Sequence, residues 1–289
     1  MAGFSGVRAL VDAELDGKSR FSTWRKSPTQ ATTIGIWFDL SMSPGNPAPQ
    51  YYIGTPLTAT PMARSTDGGL YHGHNVSPAT KYLRMNMSLA TVVTALPMAM
   101  ILQDYLMFYS FIDESLDAEA QLMDNTQTLP RYTTGAGVQI MPVVVAGHAT
   151  GGQTFVCSYT NQDGVAGRTT QAARLGTQFV NGTILTSQRA GVNVNGPYLT
   201  LQGTDTGVRS IESVTMTGAD VGLFALVLVK PLLTTQIRGI DAVVEVDQAL
   251  VQGLTITEIK DDAYLNFICL PAGSLAATAL HGYIKTVWT

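Results

Sequence analysis

The stretch Tyr71-His72-Gly73-His74-Asn75 places two histidines two residues apart. On a strand that spacing points both imidazoles the same way, toward a shared Zn or Ni ion if a third ligand is supplied. His148 and His281 stand isolated, and a turn whose histidines hydrogen-bond or face solvent accounts for the pair as well, so no metal is assigned. The acidic group Asp113, Glu114, Asp117 and Glu119 could offer oxygens to Ca²⁺ or a carboxylate pair for glycoside hydrolysis. It lacks the glycine and the D-x-D-x-D spacing of a calcium loop, and reads as the solvated side of a short helix or loop over Glu114 to Asn125. Cys157 and Cys269 lie in strand-like apolar runs with no CxxC, which predicts buried free thiols. The sequence has no phosphate-binding G-x-x-x-x-G-K-[ST], no G-x-S-x-G elbow and no H-E-x-x-H. The expectation is a protein that is not an enzyme and uses no cofactor.

The elements that carry these residues read as strands. Val138 to Ala146 and Gln153 to Thr160 are β-branched and aromatic runs closed by glycine-rich turns, and they read as a strand pair. Phe155, Cys157 and Tyr159 alternate with polar neighbours, the period of a half-buried strand, whereas the first run is apolar on both faces. Lys81 to Leu89 alternates too, with Leu83, Met85, Met87 and Leu89 on one face and Tyr82, Arg84, Asn86 and Ser88 on the other. Thr32 to Leu40 and Asp104 to Asp113 are expected as strands, and Pro97 as the first residue of a helical turn. Shorter runs follow at Gln178 to Val180, Thr183 to Leu185, Tyr198 to Leu201, Val208 to Met216, Leu223 to Val229, Ala242 to Val246, Leu254 to Ile259, Tyr264 to Leu270 and Leu280 to Trp288. Turn signals at Asn181-Gly182, Asn195-Gly196 and Gln202-Gly203 separate them. The expected fold is all-β, an antiparallel β-sandwich of jelly-roll-like type over residues 51–289.

Residues 1–50 read as an extended N-terminal arm. Val7, Leu10, Val11 and Leu15 suit one short amphipathic helix, and five prolines between Ser41 and Pro61 make a connector rather than an element. Arg8, Lys18, Arg20, Arg25 and Lys26 outnumber Asp12, Glu14 and Asp16, a mildly positive balance suited to an acidic protein surface. The arm is expected to touch a neighbouring subunit through Arg8, Trp24, Arg25, Trp37 and Tyr51, residue types enriched at interfaces. On that reading, removing residues 1–30 detaches the protein and leaves the sandwich folded.

Composition narrows the function. Of 289 residues only 13% are charged, about half the usual share, while 45% are hydrophobic. A surface made of Thr, Ser, Asn, Gln and Gly repels copies of itself weakly, as suits a protein packed against neighbours. A net charge of −4 excludes a dedicated nucleic-acid binder. The longest apolar run, Leu89 to Leu102, contains Pro97 and falls short of a membrane span, and the acidic, interrupted opening lacks a signal peptide's apolar region. A soluble protein made in the cytoplasm is expected.

Four phrases carry a resemblance: Tyr159-Thr160-Asn161-Gln162-Asp163-Gly164-Val165-Ala166-Gly167-Arg168; Gly207-Val208-Arg209-Ser210-Ile211-Glu212-Ser213-Val214; Ala225-Leu226-Val227-Leu228-Val229-Lys230-Pro231-Leu232; and Gly282-Tyr283-Ile284-Lys285-Thr286-Val287-Trp288. Over residues 138–289 the chain resembles virion structural proteins of tailed bacteriophages. The resemblance implies a β-sandwich capsid decoration or cement subunit, located in the virion, that contacts the major capsid protein and copies of itself, as a trimer in many such proteins. A tail or baseplate component is the nearest alternative. A carbohydrate-binding or hydrolytic β-sandwich is the rival of another class; it requires a concave face with exposed aromatics beside a carboxylate pair.

Overall fold

The computed structural model describes residues 3–147, 149–177, 180–185, 196–240, 243–249 and 256–289. Among them seventeen strands, numbered in chain order and all antiparallel in their ladders, form three sheets. The central sheet runs β2 (Phe38–Asp39), β16 (Tyr264–Pro271), β6 (Met98–Asp113), β13 (Leu223–Ile237), β8 (Gln139–Ala146), with β4 (Ala59–Pro61) also on β6. A second sheet runs β14 (Val244–Asp247), β5 (Lys81–Ala90), β17 (Leu280–Trp288), β1 (Ser19–Lys26), β3 (Gly45–Asn46), with β15 (Thr257–Ile259) also on β5. The third runs β10 (Arg168–Thr169), β9 (Thr154–Asn161), β12 (Val208–Thr217), β7 (Ala120–Leu122), with β11 (Ala173–Arg174) also on β9.

The length of β6 and β13 explains the arrangement. At 16 and 15 residues and about 3.3 Å per residue they extend roughly 50 Å, enough to back two sandwiches placed end to end. Ile140, Val144, Phe224, Leu226 and Leu228 pack with Phe155, Cys157, Tyr159, Ile211 and Val214 of the third sheet. Met98, Met100, Leu102, Leu265, Phe267 and Cys269 pack with Trp24, Leu83, Leu280 and Ile284 of the second. The intervening residues Met141, Val143, Ala225, Val227, Val229, Tyr264 and Ile268 form one cluster on the opposite face. Because that single cluster lies opposite the first core in β8 and β13 and opposite the second in β16, both cores share one face of the central sheet.

The opposite face is closed by chain rather than by a sheet. Met42, Tyr52, Met62 and Ile184 cover it, fixed by the fully buried Asp39. Its carboxylate accepts from the hydroxyls of Tyr52, Tyr105 (2.7 Å) and Ser41 (2.8 Å) and from the Ser41 amide (2.9 Å). Burial raises the Asp39 pKa and these donors oppose the shift. The Asp104–Arg131 pair, bonded twice at 2.7 and 2.9 Å, ties residues 130–132 to the same sheet.

The expected arm is therefore part of the body. α1 (Val7–Leu15) buries Leu10 and Ala13 against Tyr82 and Val287, and all eight residues of β1 pair with β17. The proline-rich connector holds β3, β4 and a 3₁₀ turn at Leu40–Met42. The reason is chemical: Trp24 and Lys26 point inward, and Lys26 Nζ donates to the carbonyls of Ser43 (3.1 Å) and Pro47 (2.8 Å).

Other expectations need correction. The runs at Val138 and Gln153 do not pair; β8 lies in the central sheet and β9 in the third, and the two strands face each other across a core. Of Thr32 to Leu40 only Phe38–Asp39 is strand, Met98 after Pro97 opens β6 rather than a helix, and Tyr198 to Leu201 is not a strand. Gln178, Phe179, Asn195, Ala242 and Leu254, all within expected strands or turns, lie outside the described residues, as does His148.

Candidate interaction face

One strand is turned against its own pattern. Along the β5–β17 ladder Lys285 faces Met85, but the next residue, Thr286, faces Leu83. Arg84 is thus an extra residue, a β-bulge, and a bulge shifts which side chains face which way. Before it Leu83 points into the core; after it Asn86, Ser88 and Ala90 do, all buried. Met85, Met87 and Leu89 are left on the outer face, only half-buried. The bulge is held in place because Arg84 pairs with Asp247 and, at 3.5 Å, with Glu14.

The inward positions are small or polar to match. Asn86 Nδ2 donates to Ser88 Oγ at 3.1 Å. Gly282, opposite Ser88, admits no side chain: a Cβ there would meet Met87 O at 1.9 Å and the Trp24 indole nitrogen at 3.0 Å.

Register assembles the outer face in rows. Met87 lies beside Tyr283 and Thr23, Met85 beside Lys285 and Phe21, and Leu89 beside His281 and Arg25. Phe21, 59% exposed, meets the Tyr283 ring edge-on at 5.3 Å. Two of its polar groups are engaged within the chain: Lys285 Nζ donates to Glu14 at 2.6 Å and the Tyr283 hydroxyl to Glu245 at 2.8 Å. Val11 and Leu15 of α1, together with Val243, add exposed apolar surface on this sheet and on the helix that covers part of it. An apolar centre whose neighbours Lys285 and Tyr283 are already bonded can be packed dry around them without leaving those two groups unpaired.

The five residues expected as anchors fall in different environments. Trp24 is 2% exposed, its ring 4.6 Å from that of Phe267, and is a core residue. Trp37 packs half-buried against the cluster on the opposite face of the central sheet. Arg8 is exposed but paired with Asp12 one helical turn on, at 2.9 Å. Arg25 is exposed on the outer face, and Tyr51 is 46% exposed in the connector. The face thus includes Arg25 but is built chiefly from Met85, Met87, Leu89, Phe21 and Tyr283. Regular alternation assigns the first three to the core, and only the inward-facing Asn86, Ser88 and Gly282 signal the reversal.

The histidine pair does not converge on a metal. His72 is buried, its Nε2 donates to Ala263 O at 2.9 Å, and its Nδ1 faces the Lys81 ammonium at 3.5 Å. Burial first and the Lys81 charge second lower its pKa to about 4, so the ring is neutral. Lys81 in turn pairs with Asp261 at 3.0 Å. His74 stands edge-on to Trp288 at 5.5 Å. Among the described residues no three His, Cys, Asp or Glu side chains could hold a metal ion together. Of the acidic group, Asp113 accepts from the Ser115 amide, a turn-closing bond, and Asp117 accepts from the distant Gly218 amide at the end of β12, tying two segments together. Cys157 and Cys269 are free and buried in separate cores, where burial raises both thiol pKa values.

No known family and no curated protein matches the sequence. Among solved structures, the VP2 subviral particle of infectious bursal disease virus shows a weak likeness, at 10% identity over 94% of this chain and 81% of that chain. Its TM-score is 0.17, too low to carry an argument. Among the described residues no helix is long and apolar enough to cross a membrane.

Proposed function

We propose that this chain is a non-enzymatic structural subunit of a virus particle, and within that class a decoration or cement subunit of a tailed-phage capsid. It binds the major capsid protein and copies of itself, by burial rather than by chemistry. The observation that carries the reading is the outward turn of Met85, Met87 and Leu89 while Asn86 and Ser88 are buried. A chain that lived alone would gain by the opposite arrangement, since each apolar side chain removed from water contributes about 25 cal/mol per Å². The 13% charged composition supports the same reading, because crowded copies repel one another weakly. A stable contact needs about 800 Å² per partner, and symmetry in a particle multiplies modest contacts into strong retention.

Light scattering at low and high concentration tests the reading, with Met87→Glu as the variant. A wild-type trimer or larger assembly, reduced to a folded monomer by the substitution, supports it. A concentration-independent wild-type monomer that also fails to stay on particles overturns it.

A further inference from the structure

Among the described residues two tyrosines each carry two cations over the ring. At Tyr132 these are Lys230 and Lys260, 5.6 and 5.8 Å from the ring centre. Both ammonium groups also have oxygen partners within the chain, Ala136 O at 2.8 Å and Glu258 at 2.5 Å. At Tyr71 the cations are Arg20 and Arg64, 4.8 and 5.2 Å from the ring centre. Here the internal partners are missing: among the described residues neither guanidinium donates a side-chain hydrogen bond or joins an ion pair. Arg64 Nε is moreover buried without an acceptor, which leaves the terminal Nη edge as the part of that guanidinium a partner can reach.

We propose that Arg20 and Arg64, held on the Tyr71 ring, form a site for a carboxylate side chain of a neighbouring protein subunit; this rests on the particle-subunit reading above and names the chemistry of its partner. Stacking on an aromatic face restrains a guanidinium while leaving its N–H edge free. A restrained edge meets a carboxylate with two parallel bonds at little further cost in order. Tyr71 is 42% exposed, so the site is open to a partner. Three carboxylates border it: Asp67 three residues from Arg64, Asp262, which binds Ser65, and its neighbour Asp261. Together with the net charge of −4 they favour a singly charged carboxylate over a phosphate chain.

The test follows the arginine Nε–H resonances of the full chain while a blocked tetra-aspartate peptide is added, with inorganic phosphate as a separate arm. Saturable shifts at Arg20 and Arg64 with peptide, weakened about tenfold or more in Arg20→Gln/Arg64→Gln and unchanged in Arg25→Gln, support the site. No shift, equal shifts at Arg8 and Arg25, or a response to phosphate alone overturns it. Because the titration needs no assembly, it can fail while the oligomer measurement succeeds, and the reverse.

Discussion

The indole of Trp24 lies 4.6 Å from the ring of Phe267, tilted by 38°, which joins β1 to the central sheet across the second core. Deleting residues 1–30 removes this contact, the whole β1–β17 ladder and the Leu10–Tyr82 packing together. The truncated chain is therefore expected to lose cooperative unfolding. Trp24→Ala alone is expected to cost about 3–5 kcal/mol. Chemical denaturation followed by circular dichroism measures both; a truncated chain as stable as the wild type restores the detachable arm.

Asp104 and Arg131 form a bidentate pair that is almost wholly buried, with Arg131 also donating to Met62 O and Tyr105 O at 2.9 Å and the Tyr264 amide to Asp104 at 3.0 Å. Burial raises the Asp104 pKa, and the Arg131 hydrogen bonds and charge oppose that shift. Arg131→Met is expected to destabilise by about 3–5 kcal/mol, since it strands a buried carboxylate. Adding Asp104→Asn should return part of that loss, and a double-mutant cycle shows whether it does.

Lys26 has no exposed surface, and burial lowers its pKa from 10.5 to about 8, against the opposing pull of Asp39. Between these values the unfolded chain holds a proton that the folded chain has released. Stability from this group therefore rises as pH goes from about 8 toward 10.5, and at pH 7 the buried charge is a cost. Cys157 and Cys269 act in the opposite sense above pH 9, because their thiols stay protonated in the fold. The difference between wild type and Lys26→Met isolates the lysine. That difference is expected to shift in favour of the wild type as pH rises from 7.5 to 9.5, and a pH-independent difference would refute the assignment.

Strand content was legible wherever the side-chain types settle it. The alternation of Phe155, Cys157 and Tyr159 and the two-sided apolarity of residues 139–146 both match the burial observed. Pairing was not legible, because it depends on which sheet a run joins, and the glycine-rich segment after Ala146 reads as a hairpin turn although the strands on either side of it belong to different sheets. The docking of α1 and β1 on the body was not legible, because prolines and sparse apolar residues mark a connector irrespective of what it lies on. Asp39, Tyr52 and Tyr105, up to 66 residues apart, meet only in the fold. Arg20 and Arg64 likewise lie far apart in the chain and come together only at Tyr71: neither is unusual alone.

The bulge at Arg84 gives the last prediction. With regular alternation, Leu83 and Met87 would share one environment and respond alike to truncation. With the bulge they face opposite ways, Leu83 having no exposed surface and Met87 lying half-open beside Tyr283. Leu83→Ala is then expected to cost about 2–5 kcal/mol, the penalty for a cavity in a packed core. Met87→Thr should cost under about 1 kcal/mol, since its side chain lines a surface and threonine suits a strand. Asp247→Ala removes one of the two partners that pin Arg84 and should lower stability without exchanging the faces, because the inward fit of Gly282 against Met87 O still excludes the alternative register. Denaturation midpoints of the three variants decide the point, and equal losses for Leu83→Ala and Met87→Thr would place Met87 in the core and remove the basis of the proposed interface.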